Sequence, residues 1–254
     1  MRTTHGRLLW MPTLIGAQLL ILGCGAGSND CPLTADPTRQ CERDRMIDRQ
    51  IVRLGVKDPA VLAAMRRTPR HRFVPDSSSA IAYDDRPLPI GHGQWTSRPG
   101  LIAYMLEALE LRGDEKVLEI GTGLGYQAAV LAEIVPEVFT IEIIEPLAKQ
   151  AAKTLAELGY DNVTVRTGNG YHGWPEEAPF DAIIVAAATD HVPPDLLQQL
   201  AVGGRLLLPV GTLIQNLVLF HRTEDGYERT ELLPVRFVPM TGEAEEAAPS
   251  RGGR

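Results

Sequence analysis

Between residues 114 and 242 the chain alternates short strand-like apolar runs with stretches of helical period, and this alternation restricts the fold more than any other feature. The runs are KVLEI, VFTIE, VTVRT and FDAIIVAAA, followed by GGRLLLPV, NLVLFHR and ELLPVRFV. Helical patterns separate them over Tyr126 to Val135, over Pro146 to Leu158 with Gly159 as the stop, and after Pro193-Pro194. Strands that are apolar on both faces need cover on both faces. The pattern therefore predicts an α/β fold, a mostly parallel sheet with helices on both faces. The last two runs have no helix between them and share the turn TEDGY, which predicts an antiparallel C-terminal strand pair.

Upstream of the sheet the pattern is helical. Met46, Ile47, Ile51 and Leu54 recur at helical spacing from Glu42 onward, and Gly55 ends the run. Asp58 can cap a second helix that opens on Pro59 and turns Val61, Leu62 and Met65 inward. A third helix, Pro99 to Leu109, would bury Leu101, Ile102, Met105, Leu106 and Leu109. These make an N-terminal helical extension. Between the second and third lie PRHRFVP and DDRPLPIGHGQWTSRPG, read as a long irregular segment, and such segments in a packed domain are usually functional. The chain of 254 residues fits one domain with terminal extras. The expected division is a signal peptide over 1–23, a linker over 24–42, one domain over 43–242, and a disordered tail over 243–254 that has little to bury.

The first 23 residues differ in kind: Arg2 and Arg7 precede an apolar run from Leu8 to Leu22, and no acid occurs before Asp30. A basic start, a short apolar stretch and small residues after it describe a secretory signal of lipoprotein type rather than a spanning helix, which needs about 20 apolar residues. The boundary ILGC resembles a bacterial lipobox, which implies a lipid anchor through Cys24 and export to the periplasm or cell envelope. The alternative is a start codon placed upstream of a cytoplasmic enzyme. Cys31 and Cys41 close a short Pro-containing loop and suit a disulfide, with two free thiols as the alternative; metal-ligand spacing is missing, so no metal is expected. A net charge of −7 with no Lys/Arg run excludes nucleic acid as the main partner.

The stretch VLEIGTGLGYQ, residues 117–127, runs from a strand into a glycine-rich turn. A dinucleotide fingerprint needs its third small residue three positions after the second glycine, where this chain has Tyr126. A Walker loop needs a lysine that is missing here. Glu119 instead stands two residues before Gly121, with Gly123 and Gly125 following. This acid-x-G-x-G-x-G pattern resembles the class I S-adenosylmethionine-dependent methyltransferases, which have a Rossmann-like fold. The resemblance implies S-adenosyl-L-methionine as cofactor, with the glycines admitting its methionine part and Glu119 offsetting its cationic groups. The alternative for Glu119 is a structural cap on nearby backbone amides, which the cofactor role outweighs. Glu142 closes the next strand about 20 residues on, where a carboxylate can accept both ribose hydroxyls, although a solvated strand end or an NAD site would place an acid there too.

Five blocks carry a narrower likeness. MIDRQIVRLGVKDPAVLAAMRRTPRHRFVP, DDRPLPIGHGQWTSRP, VLEIGTGLGYQAAVLAEIV, FDAIIVAAATDHVPPDLLQQLAVGGRLLLPVG and ELLPVRFVPMTG together resemble the protein-L-isoaspartate O-methyltransferase family over residues 42–242. The resemblance implies a repair enzyme. It would methylate the free α-carboxylate left in the backbone when asparagine deamidates or aspartate isomerises, and the ester then collapses to a succinimide. Its partners would be isoaspartyl-containing proteins and peptides, and the enzyme would act as a monomer. Ser97 matches the family's active-site serine, beside Gln94 and Thr96; without the family its position before Pro99 reads as a helix N-cap.

Three positions depart from the family's pattern. Trp95 stands where GQTIS has a small threonine, Asn169 precedes Gly170 where an aspartate commonly touches the adenine, and Thr189 replaces a proline. Thr241 aligns with a position near the substrate peptide or is a plain strand-end residue. His71, His92, His172 and His191 lie in loops without ligand spacing, and Trp174 before Pro175 reads as turn packing. These departures leave two other functions open, a catalytically quiet envelope protein that binds isoaspartyl peptides and a methyltransferase for another carboxylate.

Overall fold

The apolar runs become strands of one sheet, the central ones buried above and below and the edge runs VTVRT and ELLPV partly exposed. In chain order a small hairpin comes first, β1 (Leu88–Gly91) and β2 (Gln94–Thr96). The sheet follows as β3 (Lys116–Ile120), β4 (Glu137–Glu142), β5 (Val163–Thr167), β6 (Phe180–Val185), β7 (Leu200–Val210), β8 (Gln215–Arg222) and β9 (Tyr227–Val235). The structure is a computed structural model and describes residues 38–242. The leader, Cys24, Cys31 with its pairing to Cys41, and the tail from 243 onward lie outside the described residues.

Strand order is β5-β4-β3-β6-β7-β8-β9. The neighbours from β5 to β7 are parallel, whereas β8 runs antiparallel to both β7 and β9. The antiparallel pair predicted at the C-terminus is therefore present, and β8 is the reversed strand. Alternation along each strand divides the side chains between two cores. Val117, Val138, Ala182, Ile184 and Leu207 face one, and Leu118, Ile120, Phe139, Ile141, Ile183, Leu206 and Leu208 face the other. Burying each such side chain fully stabilises by about 1.5–3 kcal/mol, so the sheet interior is the main favourable term.

The first core is roofed by α1 (Gln40–Met46), α2 (Pro59–Arg67), α4 (Pro99–Ala108), α5 (Tyr126–Ala132) and α6 (Glu145–Glu157), with the short α3 (Asp76–Ser79) between α2 and α4. The second is covered by α7 (Pro194–Gln198), Tyr171, Trp174 and Met240. Trp174 packs as expected, its ring 5.3 Å from that of Phe139.

Three expectations are corrected. The first helix starts at Gln40, inside the segment read as linker, and continues as a π-helical turn over Ile47–Ile51. The π turn adds a residue to the helical repeat and rotates the residues after it. Met46, Ile47 and Ile51 are buried while Leu54, expected on the same face, is 50% exposed. The helix after the glycine turn ends at Ala132 rather than Val135. The segment around 71–99 is not irregular: it holds a 3-10 turn over Arg70–Phe73, then α3, then the β1–β2 hairpin. Its Pro and Gly residues mark turns between short elements. Gly91, His92 and Gly93 all adopt positive φ, as a tight hairpin turn requires.

Strand order reverses at β3, whose successor β4 lies on one side and β6 on the other. In an open α/β sheet such a switch point leaves a crevice beyond the carboxyl ends of the strands.

Asp58 caps α2 as the sequence suggests, its Oδ1 accepting from the Ala60 and Val61 amides at 2.8 and 3.0 Å. Asp58→Ala is expected to cost about 1 kcal/mol of stability, read as a lower urea midpoint, with activity unchanged at temperatures where the variant is folded.

Candidate active site

The glycine turn leaves β3 in a conformation that side chains resist. Gly121, Gly123 and Gly125 have φ of 94°, 56° and 92°. The Gly121 and Thr122 amides both donate to the Ile141 carbonyl, at 2.8 and 3.3 Å, which ties the turn to the end of β4. Next along β4, Glu142 reaches across: one carboxyl oxygen accepts from the Gly123 amide at 2.8 Å and the other from the Ile144 amide at 3.0 Å. A carboxylate has about four acceptor positions, so two remain free.

These elements form one wall of a cleft of about 910 Å³, counting space open to solvent. Residues 121–124, 142–144, 186–187 and Gly170 lie on the sheet side. Residues 94–97 of the hairpin segment and residues 238–241 of the C-terminal segment face them. The hairpin is seated over the turn by Ile90, which packs with Leu124 and Leu147. The C-terminal segment is pinned by the Ala188 amide donating to Val238 at 2.8 Å and the Met240 amide donating to Ala188 at 2.7 Å.

Of the residues singled out in the sequence, Gln94, Thr96, Ser97, Gly121, Gly123, Glu142 and Gly170 line this one cleft, as do Trp95 and Thr241. Ser97 is half-buried and its hydroxyl has no hydrogen-bond partner among the described residues. Its reading as a helix cap fails. The α4 terminus is instead capped by Asp85, whose Oδ1 accepts from the Gly100 amide at 2.6 Å.

Three residues do not reach the wall. Gly125 faces α6, where an added Cβ would meet Leu155 Cδ1 at 3.3 Å. Asn169 caps the turn after it, its Oδ1 accepting from the Tyr171 amide at 3.0 Å. Glu119 is fully buried beneath the turn.

The surroundings of Glu119 went unseen in the sequence. In register across the β3–β4 ladder, Thr140 stands opposite it and donates to Glu119 Oε2 at 2.5 Å. The Thr140 hydroxyl in turn lies 2.6 Å from that of Thr122, on the cleft wall. Gln127 approaches from α5 closely enough to help lower the carboxyl's pKa, yet Gln127 Nε2 and Glu119 Oε1 have no hydrogen-bond partner. A hydroxyl in the middle of the buried run VFTIE was the available signal for Thr140.

Among the other departures, Thr189 donates its amide to the Pro209 carbonyl at 3.2 Å, a bond that a proline could not make. The histidines serve loops: His71 Nδ1 lies 2.7 Å from the Tyr83 hydroxyl, and His191 Nε2 lies 2.7 Å from that of Tyr171. No group of three or more His, Cys, Asp or Glu that could hold a metal occurs among the described residues.

Burial raises the Glu119 carboxyl to about 8, against the opposing pull of Thr140 and Gln127. Between the ordinary carboxyl value and about 8 the folded chain keeps a proton that the unfolded chain has released, so stability should fall as pH rises through that window. Urea midpoints at pH 5 and pH 8 test this: the wild type should lose more than E119Q, which cannot titrate there.

Comparison with known proteins agrees with the geometry. The family described as Protein-L-isoaspartate(D-aspartate) O-methyltransferase matches residues 41–245. The chain is 56% identical over 208 residues to the Protein-L-isoaspartate O-methyltransferase of Picosynechococcus sp., covering 82% of this chain and 93% of that one. It is 55% identical over 229 residues to the protein of the same name from Opitutus terrae, covering 89% and 96%. A solved protein-L-isoaspartate O-methyltransferase superposes with a TM-score of 0.73 at 29% identity, over 80% of this chain and 67% of that one. A second, from Plasmodium falciparum in complex with S-adenosyl-L-homocysteine, gives a TM-score of 0.69 over 78% of this chain and 98% of that one; at 24% identity it speaks to fold alone. A Rossmann-like class I methyltransferase fold, with a family match over most of its length, places this chain in the protein-L-isoaspartate(D-aspartate) O-methyltransferase family.

Proposed function

We propose that the chain is a protein-repair enzyme that transfers a methyl group from S-adenosyl-L-methionine to the free α-carboxylate of L-isoaspartyl residues in damaged proteins and peptides. One observation carries this reading: Ser97 and the acid-bracketed glycine turn line the same cleft.

The residues present fit the cofactor. Gly170 lies on the wall and is held to glycine by packing, since a Cβ there would lie 2.3 Å from Ile120 Cγ2. Glu142 has acceptor capacity left for ribose hydroxyls. Gly121 and Gly123 expose backbone toward the methionine end. Gln127 Nε2, buried and unpartnered on the wall beside that end, suits a carboxylate, while Glu119 lies beneath it as a protonated carboxyl at neutral pH and backs the turn without supplying charge. Asn169 acts at one remove, fixing the turn that carries Gly170. When bound, the cofactor supplies an activated sulfonium methyl.

What the chain itself must do is modest. A peptide α-carboxyl has a pKa of about 3.3–3.7 and is ionised at neutral pH, so no general base is needed. The Ser97 hydroxyl, free of other partners, donates to that carboxylate and orients one oxygen, with Gln94 and Thr96 beside it. Ile90, Phe73, Ile102 and Met240 exclude water from the same space, which makes the catalysis positional. Trp95 lines the cleft and is 54% exposed, so this side of it faces solvent, from which a polypeptide would arrive.

Labelled cofactor and paired peptides with normal or isoaspartyl linkages test the reading. Base-labile ester is expected on the isoaspartyl peptide alone, and ester on both or on neither would overturn it. S97A should lower kcat/KM by about 10- to 100-fold, the worth of a hydrogen bond to a charged group.

We further propose, on the composition of residues 1–23 and the ILGC boundary, that the enzyme is exported to the cell envelope and held there by lipid on Cys24, and, by analogy with a family that must accept bulky polypeptide, that it works as a monomer. The family match begins at residue 41, after this leader. Fractionation should find the protein in the membrane fraction and its C24S variant shifted out of it; identical distributions would defeat the anchor.

A further inference from the structure

Among the described residues the cleft wall carries no Lys, Arg or His, and its one acid is Glu142. An anionic substrate entering it would lose water and meet a like charge, an arrangement that needs a compensating cation nearby. Arg70 lies immediately behind the wall. It is fully buried, in the 3-10 turn that comes after α2. Its Nη1 donates to the Ser97 carbonyl at 3.1 Å and its Nη2 to the Arg86 carbonyl at 3.5 Å. Its guanidinium carbon is 5.1 Å from the centre of the Tyr126 ring, and both Ser97 and Tyr126 line the cleft.

Arg70 has no carboxylate within ion-pair distance among the described residues, and its Nε has no partner at all. The nearest candidate, Asp85, is committed to the Gly100 amide at 2.6 Å and to Arg98 at 3.6 Å. A buried guanidinium held by neutral oxygens alone is costly, and a packed core could have used an apolar side chain there. Asp85 favours the guanidinium through space, but no carboxylate among the described residues pairs with it directly.

We infer that Arg70 is a positioning residue whose direct counter-ion is the substrate: it grips the Ser97 segment by its carbonyl and supplies the positive field that favours the α-carboxylate in a pocket whose one charged wall residue is Glu142. The inference rests on the proposed reading of the substrate as an isoaspartyl carboxylate. Because the charge is sealed from solvent, its influence is exerted at short range through the pocket rather than as long-range steering, and salt does little to screen it.

The test uses two peptides that differ only in bearing an α-carboxylate or an α-carboxamide at the isoaspartyl residue. Each is titrated into the full chain by calorimetry with S-adenosyl-L-homocysteine saturating. The wild type should prefer the acid, and the preference should survive in about 0.5 M salt. R70M should reduce the preference by about tenfold or more, while the affinities for the amide peptide and for S-adenosyl-L-homocysteine stay within about twofold. R70K keeps the charge but loses the two-pronged hold, so it should retain the acid preference and lose kcat.

Equal weakening of acid and amide in R70M, or a preference unchanged by that substitution, would overturn the inference in favour of a purely structural stitch. If R70M does not fold, R70K decides: loss of the acid preference with S-adenosyl-L-homocysteine binding intact overturns it, and retention of the preference with lowered kcat supports it. The two readings fail separately. A wild type that methylates no peptide yet shows an Arg70-dependent acid preference removes the proposed reaction and keeps this inference, whereas normal turnover with a preference indifferent to Arg70 does the reverse.

Discussion

The carbonyl of Ile141 accepts two amide protons, from Gly121 and Thr122, and everything at the site is referred to that junction. It fixes where the chain leaves β3, and so where the bare backbone of the turn faces the cleft. The next residue on β4, Glu142, can then bond back to Gly123 without leaving its strand. The parallel register of β3 and β4 places Thr140 opposite Glu119, which continues the same stitching below the surface. A slip of one residue between these strands would turn each side chain to the opposite face and separate the two acids from the turn that joins them.

The fold and half of the site could be read from residue order because they rest on local rules. Period and strand length indicate buried parallel strands, and Asp58, Gly55 and Gly159 mark helix ends through backbone geometry that few residues satisfy. The glycine turn with Glu142 was legible for the same reason, since its spacing is itself the geometry. The hidden part was non-local. That Glu119 lies beneath the turn instead of on the wall is set by which face of β3 its side chain takes. That Asp85 caps α4, and thereby frees the Ser97 hydroxyl, depends on two segments meeting in space. Nothing in its arginine-rich stretch singles out Arg70, whose burial depends on the hairpin segment lying over it. The π turn at Ile47–Ile51, which exposes Leu54, has no signature in apolar spacing.

The site is flanked by two buried ionisable groups of opposite kind, each left partly unpartnered. Glu119 lies under the end expected to receive the cationic methionine, and Arg70 lies behind the end expected to receive the anionic peptide. Buried polar atoms without partners usually weaken a fold, so their concentration beside one cleft means that some stability has been given up where charge must be recognised. Apart from Glu142 the wall between them is uncharged, which keeps the field of Arg70 effective over the short distance to the ligand.

The rim of the cleft joins residues far apart in the chain: Ala188 pairs with Val238 and Met240 across some fifty positions. During synthesis the sheet from β3 to β7 can collapse while the ribosome still holds the last segment. Until residues 238–241 emerge and dock, the wall opposite the glycine turn is missing. A folding chain therefore has a formed nucleotide crevice before it has a finished place for polypeptide, so competence to act on other proteins waits on the docking of residues 238–241.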